Sequence, residues 1–145
     1  MIACTLNFKR LINSGQQISM YYICSFFSFF GGLMPYILFR GFYLTNLQFT
    51  PLFSCDIVPY FINYSLSDGL WTMSLTYILI SIWKGLKNNS IIAVTSLAPI
   101  IGVVLEYLQY FQFINGTFDI IDVFTIIIFY LITINHYYYA TKKPI

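Results

Sequence analysis

Residues 91–113 read IIAVTSLAPIIGVVLEYLQYFQF, and the fold turns on how that stretch is taken. Glu106 is its only charged residue, and the run is as long as the roughly 20 residues a helix needs to cross a hydrocarbon core about 30 Å thick. Taken as a membrane helix, it organises the rest of the chain. Downstream, Asn115-Gly116 is a strong turn signal, and a second apolar run follows from about Phe118 to Tyr139. Upstream, across the short connection Lys84 to Ser90, a third run covers Leu70 to Trp83 and is extended by Leu66 to Gly69. The first run, Met20 to Phe39, is too long for a cleaved signal peptide and lacks its small-residue cleavage site. The expected architecture is all-α, a polytopic membrane protein with spans at about 20–39, 66–83, 91–113 and 118–139. Residues 1–145 form one transmembrane domain, a four-helix bundle without internal repeat or low-complexity linker.

Composition points the same way. The chain is 59% hydrophobic, 21% aromatic and 8% charged, whereas about a quarter of the residues of a soluble domain are charged. Fifteen Phe and thirteen Tyr exceed what so small a soluble domain can hide, since small domains have too much surface for their volume, so lipid must cover much of the exterior. A net charge of +2 spread along the chain forms no basic stripe and excludes a nucleic-acid partner. Cys4, Cys24 and Cys55 share no metal-ligand spacing with one another or with His136, and their odd number closes no disulfide framework. No metal or cofactor motif is present. The connection from Gly41 to Ser65 carries Pro51, Pro59, many aromatics and one charge, Asp56, and is expected to lie on the membrane surface.

Lys and Arg in short loops stay on the cytoplasmic side. Lys9 and Arg10 precede the first span, Lys84 and Lys87 follow the second, and Lys142 and Lys143 follow the fourth. Four crossings put all of these on one face, so both termini are expected to be cytoplasmic, and Arg40 alone sits at the opposite end. The acids follow the reverse pattern: Asp56, Asp68, Glu106, Asp119 and Asp122 all fall in the outer loop or the outer halves of the spans. Topology does not require this, because acidic residues contribute little to orientation.

Glu106 is the most informative residue. An ionised group at the centre of a membrane helix costs at least about 2.5–3.5 kcal/mol, and less toward the interface, so a residue there usually has a partner. Gln109, three residues on, shares its helical face. A bundle-stabilising interhelical hydrogen bond explains the pair as well as a functional pocket does. Asp119 and Asp122 repeat the spacing at the start of the fourth span. Thr117 is a good N-cap there, Asp119 in the first turn suits the helix dipole, and Asp122 lies deeper. Asp68 reads first as the cap of the second span. Together these acids suit an outward-facing pocket in which Arg40 is a counter-charge, fit to hold a cation, recognise a cationic or hydroxyl-rich headgroup, or perform general acid–base work on an envelope substrate. His136, beside three tyrosines, reads as an interfacial anchor. Gly31-Gly32 before Pro35 reads as a close-packing patch or a hinge. The sequons at Asn63, Asn88 and Asn115 read as accidental, hugging the membrane or facing the cytoplasm.

Leu105-Glu106-Tyr107-Leu108-Gln109, followed by Gly116-Thr117-Phe118-Asp119-Ile120-Ile121-Asp122, resembles the signature of VanZ-like membrane proteins. That family shows a Glu-x-x-Gln pair on one membrane helix, a short turn, and an Asp-x-x-Asp pair opening the next. Where the family often has an Arg in the turn, this chain has Thr117, so any role of that Arg is either missing or taken over by Arg40. The resemblance implies a protein of the bacterial cytoplasmic membrane associated with the cell envelope, with no reaction attached. The leading expectation is a pocket of Glu106, Gln109, Asp119 and Asp122, with Asp68 and Arg40 as outer partners, that binds an envelope lipid or glycan group. Two alternatives stand beside it. One is a proton or cation pathway, weakened because the inner halves of the spans offer no evident ionisable relay; the other is a structural subunit of a larger membrane complex.

Overall fold

A computed structural model describes the backbone of residues 2–35, 37–38, 42–44, 47–49 and 65–142, and the side chains within 19–35, 37–38 and 65–141. Its elements are helix α1 (Ile2–Pro35), strands β1 (Phe42–Leu44) and β2 (Leu47–Phe49), and helices α2 (Ser65–Trp83), α3 (Asn88–Thr95), α4 (Leu97–Tyr110) and α5 (Ile120–Lys142). The described chain is all-α apart from one antiparallel hairpin, in which Phe42 faces Phe49 and Leu44 faces Leu47. The hairpin falls in the connection read from sequence as a surface loop, where aromatic and apolar residues of high β-propensity take up short strands. Helix α2 matches its expected span to within a residue, whereas α1 begins far upstream of Met20 and ends at Pro35.

The stretch 91–113 is not one straight rod. It divides at Ser96, between α3 and α4. Pro99 is the cause: it has no N–H to give the Thr95 carbonyl four residues back, and its ring crowds that turn. The bonds on either side survive, from the Ser96 N–H to the Ile92 carbonyl at 2.9 Å and from the Ile100 N–H to the Ser96 carbonyl at 3.1 Å. At its far end α4 closes with paired bonds, from the Gln112 N–H to the Gln109 carbonyl and from the Phe113 N–H to the Leu108 carbonyl, both 2.9 Å. This is the Schellman arrangement, with Gln112 at φ 58° in the left-handed position that glycine usually fills. Helix α5 is capped by Asp119, whose Oδ1 accepts the Ile121 N–H at 2.8 Å. Thr117, expected to cap, lies upstream of the helix: Asp119, directly before Ile120, holds the position from which a side chain reaches the free N–H groups.

A glycine sits at each main helix crossing. A Cβ on Gly32 of α1 would lie 2.6 Å from the Trp71 ring on α2, and one on Gly69 of α2 would lie 2.6 Å from Thr125 and 2.7 Å from Phe129 on α5. On α4, a Cβ at Gly102 would meet Ile126 of α5 at 3.0 Å. Of the two readings of Gly31-Gly32, close packing is the one realised, because the missing side chain makes room for the indole.

Burial is inverted relative to a protein in water. The buried residues of α2 are chiefly Ser65, Ser67, Thr72, Ser74, Thr76 and Ser81, while Phe26 and Phe27 on α1, Ile82 on α2, Ile100 on α4 and Phe124 and Leu131 on α5 are exposed. Several of the buried hydroxyls bond to helix carbonyls, as from Thr76 to Thr72 at 2.7 Å and Ser81 to Tyr77 at 2.8 Å, and Ser25 of α1 reaches the Ser74 carbonyl at 3.0 Å. Two helical stretches, Asn88–Tyr110 and Ile120–Thr141, are long and apolar enough to cross a bilayer.

Candidate functional site

At one end of the bundle, the start of α2, the last turns of α4, the turn at 115–117 and the start of α5 enclose a cavity of about 420 Å³. Its polar wall carries Asp68, Trp71 and Thr72 from α2, Glu106 and Gln109 from α4, and Asp122 from α5. Its apolar wall includes Leu75, Ala98, Ile101, Leu105 and Ile126.

Each acid arrives from a different helix. Glu106 and Asp122 are 6% and 7% exposed, and Asp68 is half-buried. One carboxylate oxygen from each lies within 4.8 Å of those of the other two. Glu106 and Gln109 share a face because they are three apart on α4. Glu106 Oε2 also accepts the Asp119 N–H at 3.4 Å, tying the end of α4 to the start of α5. Gln109 folds over the turn: a Cβ on Gly116 would fall 2.5 Å from its Cδ, and Gly116 has φ 151°, so this wall of the cavity has room only for glycine.

The sequence-derived residues are therefore placed unevenly. Glu106, Gln109, Asp122 and Asp68 all line the cavity. Asp68 does so from within the first turn of α2 rather than as its cap, because the helix begins at Ser65. Asp119 turns to its own helix as the N-cap and does not line the cavity. Arg40 and Asp56 lie outside the described residues. Trp71 and Thr72 were not singled out in sequence, and residues 115–117 were read there as a turn and a helix cap, not as part of the pocket. The Asn115-Gly116 turn signal and the spacing of Thr72 four residues after Asp68 were the available pointers, and Thr72 Oγ1 does donate to the Asp68 carbonyl at 2.9 Å.

The opposite end holds a second polar cluster. Tyr77 Oη and His136 Nδ1 are 2.7 Å apart, the Tyr21 ring stacks on Tyr77 with centroids at 6.1 Å, and Tyr137 Oη donates to Asn88 Oδ1 at 3.2 Å. Lys84 Nζ lies 5.8 Å above the Tyr21 ring, and partial burial lowers its ammonium below the ordinary lysine range. His136 was expected to anchor at the interface. Its ring, half-buried, lies edge-on to Tyr21 and Tyr77. An ionisable group is thus present in the half of the bundle where the sequence offered no evident relay. Cys24, half-buried here, is a free thiol.

Three carboxylates this close cannot all carry charge without cost: at 4.8 Å and an effective dielectric of about 20, each ionised pair repels by about 3 kcal/mol. Such a group can share a proton, chelate a hard cation through oxygen, or receive an ammonium ion. The chain matches no family model, no curated protein and no solved structure in the comparisons made.

Proposed function

We propose that this is a VanZ-like envelope protein of the bacterial inner membrane. It crosses the bilayer four times with both termini in the cytoplasm, and its cavity opens to the outer side and binds an envelope lipid or glycan group. The carrying observation is the convergence of Asp68, Glu106 and Asp122, from three helices, on one cavity. A merely structural Glu106 needs one partner; three acids from separate helices are costly to assemble, and such costs concentrate at binding sites. The apolar exterior supports the membrane assignment, since contiguous exposed apolar surface is a liability in water.

Native mass spectrometry of the detergent-purified protein, wild type beside Glu106→Gln, tests the pocket. A lipid or envelope precursor that co-purifies with the wild type and is absent from the variant supports it. Absence of any such ligand from both would sink it.

A proton pathway is the second reading, and the Tyr77–His136 pair at the far end favours it. Proton flux into proteoliposomes that is lost in both Glu106→Gln and His136→Ala is its signature.

A further inference from the structure

We infer that the ligand is a lipid amine, which enters sideways from the bilayer between α2 and α4 and places its ammonium group among Asp68, Glu106 and Asp122. This rests on the pocket reading above and narrows it from lipid or glycan to one class.

The cavity has an apolar groove attached to its acidic end. Leu75 on α2 and Ile101 and Leu105 on α4 line it and are also 37%, 51% and 46% exposed, so the wall of the cavity is at the same time the outer surface of the bundle. Helices α2 and α4 touch each other sparsely, while α2 packs closely on α5. The seam between α2 and α4 is therefore where an acyl chain can lie. From Glu106 the lining runs along α4 to Ala98, about 12 Å at the helical rise, and Ala98 is 3% exposed.

The two ends of the groove ask for the two ends of an amphiphile. Among the described residues that line the cavity there are three carboxylates and no Lys, Arg or His, so charge complementarity calls for a cationic head. Trp71 at the same end supplies an aromatic wall of the kind that attracts ammonium groups. The amides of Gln109 and Asn115 stand at the outer mouth, where a phosphate or ester oxygen would accept from them. A glycan would leave the apolar groove unfilled, and a bare metal ion would use the oxygens alone.

The test is native mass spectrometry on delipidated protein in detergent, incubated with phosphatidylethanolamine, its N-acetylated form or phosphatidylglycerol. Calcium is supplied in a parallel sample. Phosphatidylethanolamine should be retained at one equivalent about tenfold over the other two lipids, a difference of about 1.4 kcal/mol. Asp122→Asn should abolish that preference, and Leu105→Trp, which fills the groove without touching the acids, should abolish retention; thermal melts of both variants verify that they are folded. Equal retention of the three lipids, retention unaffected by Leu105→Trp, or calcium binding that depends on Asp122 without any lipid preference would each overturn the lipid-amine assignment. A glycan-bearing ligand that co-purifies with wild type and not with Glu106→Gln would overturn it too, yet leave the pocket standing. No ligand in any sample removes both.

Discussion

Replacing Glu106 by Gln takes one negative charge out of the cavity and changes little else. The side chains are nearly isosteric, and the amide oxygen can still accept the Asp119 N–H that Glu106 holds at 3.4 Å. What disappears is repulsion. With oxygens within 4.8 Å, each ionised pair costs about 3 kcal/mol at an effective dielectric of about 20. Because the three acids relieve part of that by sharing protons, a net gain of about 1–3 kcal/mol is expected. At about 2–4 °C per kcal/mol for a chain of this size, the melting temperature of delipidated Glu106→Gln should rise by roughly 2–12 °C. The fluorescence of Trp71 and Trp83 provides the readout. Glu106→Ala is the control: it removes the same charge but leaves the Asp119 N–H without its acceptor and opens a void, so it should melt below Glu106→Gln. A Glu106→Gln protein that melts lower than wild type would refute the reasoning, since it would mean that the carboxylate is held by a counter-charge and that the acids are a structural ion pair.

Gly116→Ala should lower stability by about 1–3 kcal/mol and weaken ligand retention, because the new methyl must displace Gln109 and the backbone sits at φ 151°; a melt and the mass-spectrometric retention assay check both. Gln112→Gly should raise stability by about 0.5–1 kcal/mol by relieving the left-handed strain at φ 58°, with retention unchanged. Gly69→Val should cost about 2 kcal/mol or more and shift the crossing of α2 on α5, since even a Cβ alone meets Thr125 at 2.6 Å; cysteine crosslinking across that crossing reports the shift. Tyr77→Phe removes the 2.7 Å bond to His136 and should destabilise by about 1 kcal/mol in thermal melts, leaving retention at the distant cavity untouched.

Composition and run length made the helices legible: α2 falls where the apolar run was drawn, and α5 starts close to the turn signal at Asn115-Gly116. The break at Ser96 was hidden in plain view, because Pro99 in an apolar run is tolerated in membrane helices and does not announce whether it bends or divides them. Helix α1 outran its estimate because hydropathy locates the segment that suits lipid, and a helix can continue past it. In the site, period-three spacing correctly gave Glu106 and Gln109 one face but overreached for Asp119 and Asp122. Spacing cannot tell a residue that caps a helix from one that lies inside it, and Asp119 is the cap. Asp68 was grouped with Glu106 from the sequence only as an outer partner; how closely their oxygens approach was not legible, since it depends on α2 being drawn against α5 at Gly69. The partners of His136 were not legible for a similar reason: the stacking of Tyr21 and Tyr77 that receives it is a contact between distant helices.

The hydroxyl-rich side of α2 bears on how such a bundle is made. With 19 residues, α2 has the length of a span, yet it is not among the described stretches apolar enough to cross alone. Its serines and threonines are at ease only when α1 and α5 cover them, and α5 leaves the ribosome well after α2. On the four-span topology, α2 would therefore commit to the bilayer late and collectively, waiting at the insertion machinery for a neighbour made well after it. The acidic cavity would be born in the same moment, for Asp68 cannot meet Glu106 and Asp122 until that wait is over.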